Sequence, residues 1–153
     1  MWTRSATVAQ GYWNNPQATA DTFVNGWLRT GDIGYVDTDN FIFLVDRAKD
    51  IIIRGGENIS AVEVENCLYD HPAVWEVAVF SVPDSVHGEQ VTAAITCKPG
   101  SKCSADEIKL FVKERMAGFK VPGSVIFSEQ PLPRNASGKI LKKQIREDYL
   151  AEQ

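Results

Sequence analysis

The run Val74-Trp75-Glu76-Val77-Ala78-Val79-Phe80-Ser81-Val82 is nearly continuous in apolar residues. A strand with one face in water alternates apolar and polar side chains, so this run reads as a covered strand. Val91, Ala93, Ile95 and Cys97 alternate with smaller or polar neighbours and predict a second strand, with Pro83 to Gly88 as the loop between them. Covering helices are encoded on either side. Ser60-Ala61-Val62-Glu63 and Ser104-Ala105-Asp106-Glu107 both have capping-box spacing. After them, Ala61, Val64 and Leu68, and then Ile108, Phe111, Val112 and Met116, recur at helical intervals. His71-Pro72 stops the first helix and Gly118 can terminate the second. Val125 to Phe127 offers another short strand, and a polar, proline-punctuated loop from Glu129 to Gly138 leads to a last helix with Leu141, Ile145 and Tyr149 inward. Residues 51–150 therefore predict a compact α+β unit, a short β-sheet covered by helices.

The first third reads differently. Trp2 to Tyr12 have no clear period, and Asn15-Pro16 opens a short helix, with a good cap and proline at the first helical position, that closes near Gly26. Trp27 to Arg29, Ile33 to Val36 and Phe41 to Val45 are aromatic and β-branched runs parted by Thr30-Gly31-Asp32 and by Asp37-Thr38-Asp39-Asn40, which predicts a small antiparallel meander. Between the two parts, Val45 to Ser60 strings together charged turn residues, the apolar run Ile51 to Ile53 and the pair Gly55-Gly56. It reads as a joint, since the glycines accept positive φ at little cost and let another molecule approach the backbone.

At 153 residues, 44% of them apolar, the chain is a soluble globular domain or a small domain carrying a tail. A net charge of -4 gives no global field for nucleic acid or anionic lipid, so any phosphate chemistry rests on local cations. Cys67, Cys97 and Cys103 are odd in number and lack metal-ligand spacing. No apolar run approaches the ~20 residues that span a bilayer. No cleavable apolar segment opens the chain, and Ala-Glu-Gln at its end is not a peroxisomal tripeptide, so a cytoplasmic protein with reduced thiols is expected.

The leading catalytic candidate is Lys139, presented by Gly138 at the end of Pro131-Leu132-Pro133-Arg134-Asn135-Ala136-Ser137-Gly138-Lys139. An ammonium on a long stem at a loop tip can balance charge on a phosphoryl group. The alternative is a solvated lysine at a helix start. Gly-Lys lacks the upstream glycine of a phosphate-binding loop, so a nucleoside triphosphatase is excluded on spacing.

Thr30-Gly31-Asp32, Asp46-Arg47 and Pro133-x-x-x-Ser137-Gly138-Lys139, in this order from Gly11-Tyr12-Trp13 to Arg146, resemble the end of the adenylate-forming superfamily, which includes acyl-CoA synthetases, luciferases and peptide-synthetase adenylation domains. The resemblance implies a two-step acid–thiol ligase, in which a carboxylate attacks the α-phosphate of ATP and coenzyme A then displaces AMP. It divides the chain into a tail of a large N-terminal adenylation domain at 1–45, a hinge at 46–50 and a C-terminal lid domain at 51–153. It gives Asp32 the ribose hydroxyls, Arg47 the nucleotide ribose and phosphate, Lys49 the pivot of domain alternation, and Lys139 the carboxylate and α-phosphate. Gly55, Gly56 and Glu57 fall to the coenzyme A arm, and Phe119 and Lys120 to its nucleotide. Asp46 departs from the glycine of many relatives, although aspartate is common there among CoA ligases. Mg²⁺ is implied with ATP, with no metal ligand in this chain.

Two alternatives stand beside this reading. The chain is a lid serving a carrier protein, or a non-catalytic standalone module. The adenine, phosphate-loop and acyl pockets of the family belong to the large domain, so the chain alone is expected to be inactive and does not reveal which acid is used. His71 and His87 read as structural.

Overall fold

In the computed structural model, which describes Met1–Gln153, the chain separates into two compact units, Met1–Lys49 and Asp50–Gln153. The first holds strand β1 (Trp2–Thr3), helix α1 (Pro16–Thr22) and strands β2 (Phe23–Val24), β3 (Trp27–Arg29), β4 (Asp32–Val36) and β5 (Ile42–Arg47). Asn15 caps α1 by accepting from the Ala18 N–H at 3.0 Å, and Pro16 opens it. The helix ends at Thr22, earlier than the sequence suggests. Asn25 and Gly26 both take positive φ (51° and 77°), as a two-residue hairpin turn requires, and pull Phe23–Val24 into pairing with β3. The meander is likewise two structures. β3 lies between β1 and β2 in one sheet, and β4 and β5 form a separate ribbon. Asp46 is the one buried residue of this unit, and Tyr35, Val36, Phe41, Ile42, Phe43 and Leu44 of the ribbon and its turn are all exposed.

A 3-10 turn, Ala48–Asp50, leads to β6 (Ile51–Arg54) and β7 (Glu57–Ser60), then to α2 (Ala61–Tyr69), β8 (Val74–Asp84), β9 (Gly88–Cys97), α3 (Ala105–Lys113), a 3-10 turn at Gly118–Lys120, β10 (Ser124–Ser128) and α4 (Lys142–Ala151). β7 is absent from the sequence reading because Ile59 is its only apolar residue. It is a strand because it pairs with β6, which puts Ile59 opposite Ile52 with both side chains buried. β8 and β9 form a hairpin longer than the sequence suggests, with Asp84 Oδ1 accepting from the N–H groups of Val86 (3.0 Å) and His87 (2.7 Å) in the turn. The opposite edge of β9 carries β10, parallel, along Thr92–Thr96 and meets β6 at Gly88.

Both faces of the hairpin are covered. Val77, Val79, Val91, Ala93 and Ile95 pack with Ala61, Val64 and Leu68 of α2 and with Ile108 and Val112 of α3. On the other face, Ala78, Phe80, Val82 and Ala94 pack with Leu132 and with Ile145 of α4. Val74 and Val77 share the first core although they are an odd number of residues apart. The bulge between Val74 and Glu76 supplies the extra residue that this requires.

Ser104 and Glu107 close a complete capping box. Ser60 accepts from the Glu63 N–H at 3.2 Å, but the Glu63 carboxylate bonds Lys120 instead of completing the box. α3 stops at Lys113, so Met116 packs against the first core from beyond the helix, and Leu141 is the residue before α4 and not part of it. No helix is long and apolar enough to cross a membrane.

Leu68 is fully buried in the first core, so Leu68→Ala is expected to cost about 2–5 kcal/mol through lost burial and the cavity left behind. Urea denaturation should show a lower midpoint at an unchanged slope. An unchanged midpoint would mean that α2 does not hold the sheet.

Candidate functional site

Asp32 opens β4 and Arg47 ends β5, and the ladder sets them opposite each other. Arg47 Nε donates to Asp32 Oδ1 at 2.9 Å, leaving the second carboxylate oxygen and the remaining guanidinium N–H groups for a ligand. The turn before Asp32 is fixed by Gly31, whose φ is 76° and whose carbonyl accepts from the Ala48 N–H at 2.8 Å, and by Thr30 Oγ1, which accepts from the Asp32 N–H at 3.1 Å. Two residues singled out for nucleotide binding are thus neighbours. A carboxylate beside a guanidinium suits a vicinal diol next to a phosphate. Lys49 lies exposed in the 3-10 turn, at the last position of the first unit.

In the second unit, Gly55 and Gly56 (φ 58° and 88°) form the two-residue turn of the β6–β7 hairpin, with Arg54 and exposed Glu57 as its closing pair. A Cβ on Gly56 would meet nothing within 4 Å, so its backbone is open to approach. Arg54, whose own role the sequence left unassigned, donates from Nη1 to the Phe119 carbonyl at 2.8 Å and ties this turn to the 3-10 turn at Gly118–Lys120. Its Nε–H is buried without a partner. Phe119 packs against the first core, and Lys120 Nζ binds both Glu63 oxygens at 2.6 and 2.7 Å. The Lys120 charge is therefore already balanced by Glu63.

Lys139 sits in a tightly bonded loop. Asn135 Oδ1 accepts from the N–H groups of Ser137 (3.1 Å) and Lys139 (2.8 Å) and from Ser137 Oγ (2.8 Å). Gly138 has φ 82°, the Asn135 N–H donates to the Lys139 carbonyl at 2.9 Å, and Arg134 and Ile140 form a bridge beneath. The Lys139 side chain is exposed and enters no ion pair, whereas Lys142 pairs with Glu65 at 2.7 Å. The loop is anchored by Glu76, which lies in β8 on the face opposite the first core. Its Oε2 accepts from the Leu132 N–H at 2.7 Å and its Oε1 from Arg134 Nη2, while Arg134 Nη1 donates to the Gly138 carbonyl. The one acid inside the apolar run Val74–Val82 was the available signal for this anchor.

The sequence-predicted residues thus fall into groups. Asp32 and Arg47 are together on the first unit. In the second, Gly55, Gly56, Glu57, Phe119 and Lys120 gather by the α2–α3 face of the sheet, and Lys139 belongs to the α4 face. His, Cys, Asp and Glu side chains form no cluster of three or more suited to a metal ion.

The small α+β domain, with covering helices on both faces of its sheet, matches the C-terminal domain of adenylate-forming enzymes. A profile of the AMP-binding enzyme C-terminal domain matches residues 63–139, about half of the chain, and the chain belongs to that family. It is 46% identical over 141 residues to a long-chain-fatty-acid–CoA ligase of Bacillus subtilis, covering 92% of this chain and 25% of the relative. It is 46% identical over 142 residues to a feruloyl-CoA synthase of an Amycolatopsis species, covering 93% and 29%. Among solved structures, the o-succinylbenzoate CoA synthetase of Bacillus subtilis in complex with its acyl-adenylate intermediate superposes with a TM-score of 0.85 at 39% identity, over 95% of this chain and 29% of that one. The chain spans between a quarter and three-tenths of the length of these relatives.

Burial alone would raise the Glu76 carboxyl, but the Arg134 and Leu132 hydrogen bonds and the Arg134 charge together outweigh it and hold the group below the ordinary carboxylate value. A carboxylate so lowered contributes stability above its unfolded pKa and loses it as the pH falls through the folded one. Glu76→Gln is expected to cost about 2 kcal/mol at neutral pH, the scale of hydrogen bonds to a charged group. The difference from wild type should shrink as urea denaturation is repeated at pH values falling below about 4, the ordinary carboxylate range. A difference that stays constant with pH would show that the carboxylate charge does not anchor the loop.

Proposed function

We propose that the chain is the C-terminal part of an AMP-forming acid–thiol ligase, an acyl-CoA synthetase that uses ATP and coenzyme A in the cytoplasm. The observation that carries this reading is the separation of the candidates in the second unit. Lys139 belongs to the α4 face of the sheet, and the Gly55-Gly56 and Phe119–Lys120 turns gather by the other. A domain with two equipped faces can serve two successive half-reactions by presenting each in turn.

In the first half-reaction, Lys139 places its ammonium between the substrate carboxylate and the α-phosphate, where negative charge builds as the oxygen attacks phosphorus and pyrophosphate leaves. Asp32 accepts from the ribose hydroxyls, and Arg47 holds the carboxylate in place while presenting its free N–H groups to the nucleotide. Rotation about Lys49 withdraws Lys139 and presents the glycine turn, where the absence of side chains lets the pantetheine arm pass. Thiol attack on the acyl carbonyl then releases AMP. The exposed apolar residues of the β4–β5 ribbon support a large N-terminal domain as the partner that covers them, since strips of this size are rarely left in water. Residues 1–45 are its tail and 46–50 the hinge in this reading.

In the intact enzyme, Lys139→Ala should slow adenylate formation about a hundredfold or more, the range seen when a preorganised charge-stabilising group is removed. Thioester formation from supplied acyl-adenylate should be largely spared, and an equal loss in both steps would sink the assignment. Lys49→Pro should instead impair the thioester step by restricting the pivot, and an unimpaired second step would remove Lys49 from that role. The chain by itself, lacking the pockets of the large domain, should release no pyrophosphate from ATP with any carboxylic acid supplied.

A further inference from the structure

Cys97 ends β9 and Cys103 precedes Ser104, the cap of α3. The five residues between them turn back sharply: Gly100 takes φ 78° and the Ser101 N–H donates to the Lys98 carbonyl at 2.9 Å. Strand end, turn and helix cap thereby bring the two sulfurs to 3.3 Å. Both side chains are half-buried, and both pack against the first core. A cavity of about 320 Å³ opens on the pair, and its wall includes Lys98, Lys102, Phe127 and Glu129. Lys98 and Lys102 against Glu129 give the lining a net positive charge, with Lys98 Nζ also donating to the Pro72 carbonyl at 2.8 Å. No third cysteine, histidine or acid joins the two sulfurs in a metal-binding group, and Cys67, on α2, does not line this cavity.

We propose that Cys97 and Cys103 are a reversible dithiol–disulfide pair that exchanges with small anionic disulfides admitted by the lysine-lined cavity. One thiol loses its proton and attacks a sulfur of the external disulfide, forming a mixed disulfide and expelling one thiolate. The second, deprotonated in turn, attacks the protein sulfur of the mixed disulfide and expels the other thiolate. The two protein thiols give up two electrons and two protons, and the external disulfide becomes two thiols. Closing the bond brings the sulfurs from 3.3 Å to the ~2.0 Å of a disulfide, a movement the intervening loop can supply. Burial, the Cys97 sulfur and the Glu107 carboxylate push the Cys103 thiol up to about 12, so exchange at neutral pH is slow.

The test incubates the folded chain with oxidised glutathione, alkylates the remaining thiols and maps by mass the peptides of a combined trypsin and glutamyl-endopeptidase digest. Cleavage after Lys102 separates Cys97 from Cys103, and cleavage after Glu76 and Glu89 separates Cys67 from both. The expected result is a linked Cys97–Cys103 peptide pair lighter by two hydrogens, a thiol titre falling from three to one with Cys67 alkylated, and full reversal by reductant. Cys97→Ser and Cys103→Ser should each retain a glutathione adduct that the wild type resolves, a readout that does not depend on the loop closing. Cystamine, a cationic disulfide, should react about tenfold more slowly at low salt. A titre that stays at three, or cross-links to Cys67 as frequent as the Cys97–Cys103 link, overturns the pair. Equal rates with the two disulfides overturn the part assigned to the cavity.

Discussion

Strand β9 is hydrogen-bonded along both edges, and the second unit hangs on that ladder. β8 occupies one edge over its whole length, and β10 and β6 divide the other. Val91, Ala93 and Ile95 project to the α2–α3 side and Ala94 to the α4 side, so one strand supplies both cores. Because side chains alternate with a period of two, a slip of one residue between β8 and β9 would exchange the faces and drive Glu76 into the first core. An unpaired carboxylate there would cost far more than the cavity left by a deleted methyl group, so the register is held by both apolar and polar terms.

The same parity sets the position of Lys139. The bulge after Val74 sends Glu76 to the α4 side, where it meets the Leu132 N–H and the Arg134 guanidinium. Arg134 then reaches the Gly138 carbonyl beside Lys139. A buried acid in a strand is thus linked through one arginine to the tip of a loop, and Asn135 fixes the rest of that tip. Such a carboxylate repays its desolvation only when several donors satisfy it, and here backbone and guanidinium do so together. The exposed ammonium gains a defined origin without being held by any counter-charge.

What the sequence made legible was local. The helices around Val64 and Ile108 were readable because capping residues and helical spacing lie within a few positions of one another, and the helix around Ile145 was readable from its spacing alone. Strand β7 was not, since the one apolar residue of Glu57-Asn58-Ile59-Ser60 becomes a strand residue only through Ile52. The turn Asn25-Gly26 had its sequence signal, but the preceding helix pattern masked it and ran the helix too far. At the site, Asp32 and Arg47 were nameable by motif, yet their direct contact depends on the ladder register between β4 and β5. The contacts of Arg54, Glu76 and Arg134 were not legible because their partners lie 65, 56 and 58 residues away in the chain, which no window of the sequence brings together.

A domain that presents two faces in turn has to be stiff within itself and free at one place. Misplacing a charge-bearing group by about 1 Å can cost a hundredfold in rate, so under the proposed two-step function a loosely held Lys139 loop would lose in each cycle what rotation gains. The loop has its Glu76 anchor, and the opposite face has the Arg54–Phe119 and Lys120–Glu63 bonds, all inside the second unit. Between the units, the short turn Ala48–Asp50 carries the chain across, and a few residues changing φ and ψ there can reorient a rigid body without breaking any of those bonds. In the proposed two-step reading the stretch around Lys49 needs backbone freedom more than chemistry, and the lysine's exposure is compatible with that demand.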